Sequence, residues 1–404
     1  MPERSVIPKF RHRDRLRQIP IFLGKLFRGF IYEKDWKVLP MTAIVAGLVS
    51  MVVRGSFFVT MEGTLLGSFA VVCIGIWNGC FNSIQVICRE RGIIKREHRS
   101  GMHISSYVIA HMIYQALLCL AQTGLSIYIC KVTGVRFPTE GFITGSFLID
   151  IGISLFLVSY ASDMLSLLIS SIARTTTAAM TVMPFLLIFQ LVFSGGFFAL
   201  PEWAGSFSHM TISRYGLNCI AAEADYNGLP MAASWKSLIK LRDEELIYTP
   251  TVGDITDSLT NEENPAVAAL RAKEIDSRQI YDSAAAMLAE SIPNLVLPPF
   301  EAYDQAEKTT VGEVIDALVS LPGVSEHRDK QFNFHVKIGD VISFFGEDTV
   351  RNAIQSKTAQ ASYNPKYEHS EENILSCWWH LILFIFLYAL LSIIALEFID
   401  KDKR

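Results

Sequence analysis

Polar side chains inside long apolar segments are the residues of this chain best placed to do chemistry. Residues 78–83 put the amides of Asn78 and Asn82 on either side of Phe81, in the middle of an apolar segment. Such a group suits an amphipathic ligand, because the ring contacts an apolar face while the amides orient polar groups. Polar residues inside a membrane are costly and often functional, although each can instead make a hydrogen bond between helices.

A charged elbow, residues 89–101, separates this apolar segment from the next one. It contains Arg96, Glu97 and Arg99 and ends at Gly101. A charged corner of this kind offers salt bridges and hydrogen bonds to a soluble partner. The alternative is that its cations only set the orientation of the helices beside it.

No strong catalytic motif accompanies these residues. The 404 residues contain neither a GxxxxGK[ST] phosphate loop nor an HExxH zinc motif. Ser237 and Lys240 have the spacing of a Ser–Lys nucleophile pair but lack the companion motifs of such enzymes. We therefore expect no enzymatic activity, no metal and no cofactor on the chain itself, and the pair leaves an outer-face hydrolase as a minor alternative.

Two aspartates lie in the fourth apolar segment, Asp150 and Asp163. At roughly 100° per residue, their spacing turns them about 220° apart around a helix, so the pair does not form one site alone. Each is interpreted as an interhelical hydrogen-bonding group, with a proton or cation site as the alternative.

The elements that must position these residues are membrane helices. Half of the residues are hydrophobic, only 19% are charged and the mean hydropathy is +0.31, which is typical of membrane proteins. A spanning helix needs about 20 mostly apolar residues. Six segments qualify and predict an all-α polytopic membrane protein: roughly 38–53, 64–88, 105–131, 142–172, 178–200 and 375–398.

Charge predicts the orientation of these spans. Ten Lys and Arg residues lie in residues 1–37 and five lie in 89–99, which places both termini in the cytoplasm of a multi-pass plasma-membrane protein. Residues 201–374, predicted to lie outside, carry 27 acidic against 14 basic residues. That acidity is explained by solubility or by attraction of a basic partner. The absence of an Asn-x-Ser/Thr sequon there favours a bacterial membrane.

The chain divides into five parts along its length. Amphipathic spacing over residues 20–32 predicts a helix that lies on the inner membrane surface or packs on other protein. Three similar phrases, beginning at Thr251, Thr310 and Lys337, predict three similar helix starts, and residues 332–338 predict a short strand. The predicted parts are a basic leader with the amphipathic connecting helix (1–37), transmembrane helices 1–5 (38–200), a membrane-proximal outer segment (201–228), a mostly helical extracytoplasmic insertion between helices 5 and 6 (229–374), and transmembrane helix 6 with a cytoplasmic tail (375–404).

Residues 17–228 and 375–404 resemble the membrane domain of ATP-binding cassette (ABC) exporters of the G subfamily, which has the ABC-2 or type V exporter fold. The resemblance does not cover the insertion. It is carried by the basic amphipathic helix followed by Glu33-Lys-Asp-Trp36, by Asn78-Gly-Cys-Phe-Asn-Ser83, by Arg96-Glu-His-Arg-Ser-Gly101 with Ser105-Ser-Tyr107, and by Phe193-Ser-Gly-Gly-Phe-Phe198 with Pro201-x-Trp203 and Ile212-Ser-Arg-Tyr-Gly216.

This resemblance implies two membrane domains that face each other, with spans two and five lining a central cavity. The family has a larger residue at the position of Gly196, so the apolar plug above the cavity is expected to be weaker or differently shaped. The elbow residues Arg96, Glu97, Arg99 and Gly101 match the region that couples to the ATPase. The residues implied to line the substrate path are Asn78, Phe81, Asn82, Ile188, Leu191, Gly196 and Phe197.

The function implied is that of an export permease working by alternating access on an amphipathic or lipid- or peptide-like substrate. Subunits of the family usually carry a nucleotide-binding domain ahead of the membrane domain, and the 404 residues do not contain one. ATP and Mg²⁺ are therefore expected on a partner ATPase subunit, alongside a second permease subunit, the same or different, and no nucleic acid. The alternative is a non-transporting ABC-type scaffold or sensor that acts through the outer domain. The substrate stays open.

Overall fold

The computed structural model describes residues 14–32, 35–196, 201–261, 263–276, 308–331 and 333–398, with the single positions 278, 281, 282 and 286. The chain folds into two compact units. We call residues 1–230 and 362–404 the bundle unit, and residues 231–361 the insertion unit.

The bundle unit is helical in the part that the structure describes. Its first nine helices are α1 Arg15–Tyr32, α2 Val38–Val53, α3 Met61–Ser83, α4 Val86–Arg99, α5 Ile104–Val132, α6 Phe147–Ile172, α7 Thr176–Val192, α8 Glu202–Ser208 and α9 Ile212–Glu223. The insertion unit then contributes α10 to α16, and the chain returns to the bundle unit in α17, Glu371–Glu397.

Five helical segments of the described chain are long and apolar enough to cross a membrane, which confirms a polytopic membrane protein in outline. They are Asp35–Val53, Met61–Arg99, Ile104–Val132, Phe147–Ile172 and Glu371–Glu397. The remaining predicted span, 178–200, coincides with the shorter apolar helix α7, and residues 197–200 lie outside the described residues. A sixth crossing therefore stays a prediction.

Several predicted boundaries differ from the structure, and three of them are informative. The connecting helix begins at Arg15, so Pro20 lies inside α1 and removes one backbone donor there. The second predicted span runs past the end of α3, because residues 86–88 already belong to the elbow helix α4. The fourth begins at Phe147 instead of residue 142, because the carboxylate of Asp150 accepts hydrogen bonds from the backbone N–H groups of Ile143 and Thr144 and holds that stretch in a turn.

The core of the bundle unit lies around α6. Helices α3, α9 and α17 all pack against it, and fully buried residues such as Val158, Met164 and Leu167 fill the interfaces. The closest approach is at Gly79 of α3, where a Cβ would lie 2.1 Å from the carbonyl oxygen of Ser159. Small residues at such a crossing let two membrane helices pack closely.

The insertion unit combines short helices with two small antiparallel sheets. In one sheet Glu245 pairs with Lys337, and in the other Glu274 pairs with Thr310. Its elements are α10 Ala232–Lys240, β1 Glu245–Tyr248, α11 Val252–Thr260, α12 Pro265–Arg271, β2 Glu274–Asp276, β3 Lys308–Thr310, α13 Val311–Val319, α14 Pro322–Glu326, β4 Phe334–Lys337, α15 Ile338–Phe345 and α16 Glu347–Ala361.

The three predicted helix starts and the predicted strand are confirmed. Thr251 and Thr310 each form a full capping box with the acidic residue three positions later. The third helix, α15, begins after Lys337 without a side-chain cap, because a Lys side chain has no acceptor. The strand lies at Phe334–Lys337.

These three helix starts share a tertiary contact that the sequence analysis missed. The glycine of each phrase lies against the backbone of an arginine from elsewhere in the unit, and we call each such contact an Arg–Gly clasp. The Gly253 and Gly339 N–H groups donate to the carbonyl oxygens of Arg328 (2.9 Å) and Arg242 (2.8 Å). In the third clasp a Gly312 Cβ would lie 3.1 Å from the Cβ of Arg271. Each arginine stands four residues before an apolar residue, which is the sequence signal for the repeat: Arg242 and Leu246, Arg271 and Ile275, Arg328 and Phe332.

Candidate functional site

The elbow is fastened to α1 by one buried amide. The Gln18 side chain, 8% exposed, donates to the carbonyl oxygen of Gly101 (3.2 Å) and accepts from the backbone N–H of His103 (2.9 Å). One helical turn further along α1, the Phe22 ring packs edge-to-face on Tyr107. Sequence reasoning missed Gln18, although a lone amide four residues before Phe22 on the apolar stripe of α1 is the signal that identifies it.

The predicted elbow residues come together at this corner. Arg96 and Arg99 are exposed, and Gly101 has a φ of +101°, a conformation that side chains other than glycine rarely adopt. Glu97 accepts the backbone N–H of Met102 on its carbonyl oxygen (3.0 Å), and the Oε2 atom of its carboxylate is buried with no hydrogen-bond partner in the described chain. The corner thus presents the exposed side chains of Arg96 and Arg99 on a rigid turn, with Glu97 half-buried beside them, which suits docking of a charged soluble surface.

On α3 the structure separates the aromatic ring from the two amides. Phe81 is 50% exposed and lies 6.0 Å, between ring centroids, from Trp77, which is 49% exposed. Asn78 instead accepts from the Thr42 hydroxyl (3.2 Å). Asn82 and Gln122 exchange two hydrogen bonds, of 2.8 and 3.2 Å. The amides therefore bond within the bundle, while the exposed surface of α3 at this level is aromatic.

On α7 the predicted path residues lie on an exposed apolar face. Ile188 is 57% exposed and Leu191 is 40% exposed. Gly196 lies against α9, where a Cβ would come within 2.3 Å of the Cδ2 atom of Leu217. Phe197 lies outside the described residues. Trp77 joins this set as an exposed aromatic that sequence reasoning missed, four residues before Phe81.

A hydrogen-bonded network of polar side chains runs through the bundle behind Phe81. Ser83 donates to the fully buried Asp163 and accepts from Gln115 (2.9 Å). The Cys119 thiol lies 3.4 Å from the second carboxylate oxygen of Asp163. Gln122 extends the network to Thr42 (3.3 Å). Such networks fix helix register, because a polar group buried in a membrane costs free energy unless it is paired.

The two aspartates have separate surroundings, as their spacing indicated. Asp150 is buried and also accepts the Thr144 hydroxyl (2.6 Å), so it holds the turn before α6. A third buried carboxylate, missed in the sequence, is Glu223 of α9. It accepts from Ser154 (2.5 Å), whose hydroxyl also accepts the indole N–H of Trp378 (2.7 Å). This group ties α6, α9 and α17 together.

The residues considered for catalysis show no assembled site. Ser237 and Lys240 are both exposed on α10. Within the described ranges, no group of three or more His, Cys, Asp and Glu residues could hold a metal ion. The geometry that is present is suited to binding and coupling.

Part of the chain matches a known family of membrane transporters. Residues 25–222 match the family model described as ABC-2 type transporter. This match, over just under half of the chain, identifies an ABC-2 type transporter domain. The chain is also similar to the ABC transporter ATP-binding/permease protein of Mycobacterium tuberculosis, with 24% identity over 230 residues. That match covers 53% of this chain and 26% of the relative, so the chain spans well under two thirds of the relative's length. The matched family domain is the permease component of such transporters and is distinct from the ATPase.

Proposed function

We propose that this chain is the permease subunit of an ATP-driven exporter that moves an amphipathic substrate out of the cytoplasm by alternating access. A nucleotide-binding subunit, carrying ATP and Mg²⁺, would dock at the elbow, and a second permease subunit would complete the path. The relative's printed name joins an ATP-binding and a permease function in one protein, which supports pairing with an ATPase.

The observation that carries the proposal is the rigid charged corner within the matched family domain. Gln18 locks α1 to the turn at Gly101, so a force applied to Arg96 or Arg99 would move α1, α4 and α5 together. A loose loop would dissipate such a force, whereas a hydrogen-bonded corner transmits it to the spans.

The exposed apolar faces of α3 and α7 support a path for an amphipathic substrate. Phe81 and Trp77 supply flat aromatic surface, and Ile188 and Leu191 supply aliphatic surface. Because Asn78 and Asn82 bond within the bundle, we assign substrate contact to the rings and a helix-positioning role to the amides.

The coupling is tested on the full chain, purified from its native membrane in mild detergent and reconstituted in liposomes with its co-purified subunits. We expect ATP hydrolysis in the sample and a loss of about tenfold in Glu97→Ala, the scale of one charged hydrogen bond. Glu62→Ala, a half-buried glutamate at the first turn of α3, is the matched control. Equal rates of ATP hydrolysis in wild type and Glu97→Ala would contradict coupling at the elbow. The absence of any ATPase from the sample would contradict an ATP-driven permease.

The path is tested in the same liposomes with a fluorescent amphiphile. Phe81→Ala should lower ATP-dependent uptake into inside-out vesicles several-fold, because one ring of the exposed Trp77–Phe81 pair would be lost. Phe386→Ala, a phenylalanine of α17 that is 62% exposed, should leave uptake unchanged. Equal losses of uptake in both variants would show that exposed aromatic rings affect transport through contact with lipid, and that Phe81 has no specific contact with the substrate.

A scaffold or sensor is the second candidate function, and one observation favours it. The insertion unit, residues 231–361, is a compact body with its own Arg–Gly clasps, more than a gate requires. Deleting residues 231–361 separates the two functions: a transporter keeps ATP-dependent uptake, whereas a sensor keeps only its ATPase.

A further inference from the structure

A cavity of about 400 Å³ opens in the bundle unit at the end where the elbow lies. Its walls come from α1, the start of α2, the junction of α3 with α4, and α5. The size falls within the range of sites that hold small molecules. Phe81 and Asn82 reach its rim, so the cavity adjoins the proposed substrate path without depending on transport.

The charged wall of the cavity carries an excess of one cation. Lys25, Arg28 and Arg89 line it together with the carboxylates of Asp35 and Glu90. The Lys25 ammonium is 2.9 Å from a carboxylate oxygen of Glu90, which ties α1 to α4 across the opening. A ligand with one negative charge would neutralise this wall, whereas a zwitterion, which has no net charge, would leave the excess cation without a counter-charge.

The wall formed by α5 contains buried polar atoms without partners in the described chain. His111 is 1% exposed, and neither ring nitrogen has a hydrogen-bond partner in the described chain. Gln115, also 1% exposed, donates to Ser83, but its side-chain carbonyl oxygen is likewise unpartnered there. Leaving such groups unsatisfied costs about 1–3 kcal/mol each, so they require an explanation. Both residues are among those that line the cavity.

The unpartnered atoms define the chemistry of the ligand. The carbonyl oxygen of Gln115 needs a donor, and a neutral His111 needs both a donor and an acceptor. Two hydroxyls beside a phosphate meet all three needs, because each hydroxyl donates one hydrogen bond and a phosphate or hydroxyl oxygen accepts the third. The single negative charge favours a phosphodiester over a phosphomonoester, which carries more charge near neutral pH.

We propose that this cavity holds the phosphodiester head group of an anionic phospholipid that carries free hydroxyls, with phosphoglycerol as the simplest case. The phosphate lies on the cations of α1 and α4, and the hydroxyls reach His111 and Gln115. The exposed apolar residues of α1, including Leu16, Ile21 and Ile31, place that helix against lipid, so the acyl chains have somewhere to lie. The bound lipid would bridge α1 and α5 and stabilise their packing.

The test uses the full chain in nanodiscs of phosphatidylcholine with about 10% phosphatidylglycerol. Native mass spectrometry releases the protein from the nanodisc and measures the mass of the lipids that stay bound to it. We expect one phosphatidylglycerol to be retained in preference to phosphatidylcholine. Arg28→Gln and His111→Phe should each reduce that retention about tenfold. Phe keeps a ring at 111 for the packing on Tyr107, whose centroid is 4.5 Å away. Arg17→Gln, an equal charge change at an exposed position of α1 outside the cavity, is the control.

A second arm distinguishes the lipid from a soluble phosphate. Glycerol 3-phosphate is added to the chain in phosphatidylcholine-only nanodiscs, and adducts are counted in the same way. Weak or no retention supports a lipid ligand, whereas tight retention would replace it with a soluble phosphate ester. Equal retention of both lipids, or an equal loss in Arg17→Gln and Arg28→Gln, would overturn the site. If His111→Phe does not fold, the exposed Arg28→Gln decides the outcome.

Discussion

The bundle unit and the insertion unit solve the problem of polar groups in opposite ways. In the bundle, polar side chains from different helices bond to one another in the interior, as Asn82 does with Gln122 and Ser83 does with Asp163. In the insertion unit, Thr251 and Thr310 bond to their own helix starts at the surface. The exposed pair Arg328–Asp257, at 2.7 Å, is of the same surface type. Lipid offers no hydrogen bonds, so the first arrangement is required in one unit and optional in the other.

The two units also differ in where two backbones approach each other closely. The α3–α6 contact at Gly79 joins two long helices over their lengths, and it buries a continuous core. The Arg–Gly clasps join short elements at single points, and the Val252–Val324 core beside one of them is small. We therefore expect mutations in the bundle to act globally and mutations in the insertion unit to act locally.

The largest effect is expected from Gly79→Ala. The new Cβ would lie 2.1 Å from the Ser159 carbonyl and 2.8 Å from the Asp163 amide nitrogen, so α3 and α6 must separate. We expect a loss of about 3 kcal/mol or more of stability, seen as a fall in Tm and in the monodisperse fraction in detergent. Gly124→Ala, on α5 with no atom within 4 Å of its Cβ, should be neutral or slightly stabilising. A fall of equal size in both variants would contradict close packing as the cause.

The Asn82–Gln122 pair is expected to give the next largest effect. Each single change to Leu leaves the other amide without its partner in the bundle and should cost about 1–2 kcal/mol. The double change removes both amides, so its cost should be less than the sum of the single costs. Thermal unfolding in detergent measures this double-mutant cycle. Strict additivity would mean that the two amides do not interact in the folded chain.

Thr251→Ala should have a smaller and strictly local effect. Loss of the capping box is expected to cost about 1 kcal/mol, confined to the start of α11. Hydrogen exchange of the full chain, followed by mass spectrometry, should show faster exchange in peptides covering 252–260 and unchanged exchange in 311–319. Thr310→Ala should give the reverse pattern. Faster exchange in both segments with either variant would show that the insertion unit opens as one cooperative body.

The smallest effect is expected from acidification of the same cap. The hydrogen bonds from the Thr251 side chain and backbone lower the pKa of Asp254 below its usual value. A carboxyl whose pKa is lowered on folding stabilises the cap above its unfolded pKa, about 3.9, and loses that contribution as the pH falls through the folded value. The ratio of the hydrogen-exchange rate at residues 252–255 in wild type to that in Asp254→Asn should therefore rise only below about pH 4. A rise that begins near pH 6 would implicate another group.

Asn78 and Asn82 show which features of the candidate site could be predicted from the sequence. Asn78 and Asn82 were correctly seen as polar groups within a span, but their partners Thr42 and Gln122 are 36 and 40 residues away. Local sequence patterns do not show which distant positions pair, so the sequence analysis assigned both amides to ligand binding. Phe81 and Trp77 are exposed because the amides face inward on the same helix, an orientation that only packing sets.

The sequence by itself determined the elements that depend on local physics. Apolar length specified the long helices, because a span needs about 20 apolar residues whatever surrounds it. The bounds of α2 were predicted to the residue. Thr followed by an acid specified two helix starts for the same reason. Tertiary structure alone decided the Gln18 lock on the elbow, the three Arg–Gly clasps and the cavity beside His111. Each of these joins residues far apart in the chain, and such contacts depend on how helices and strands pack rather than on the local pattern of residues.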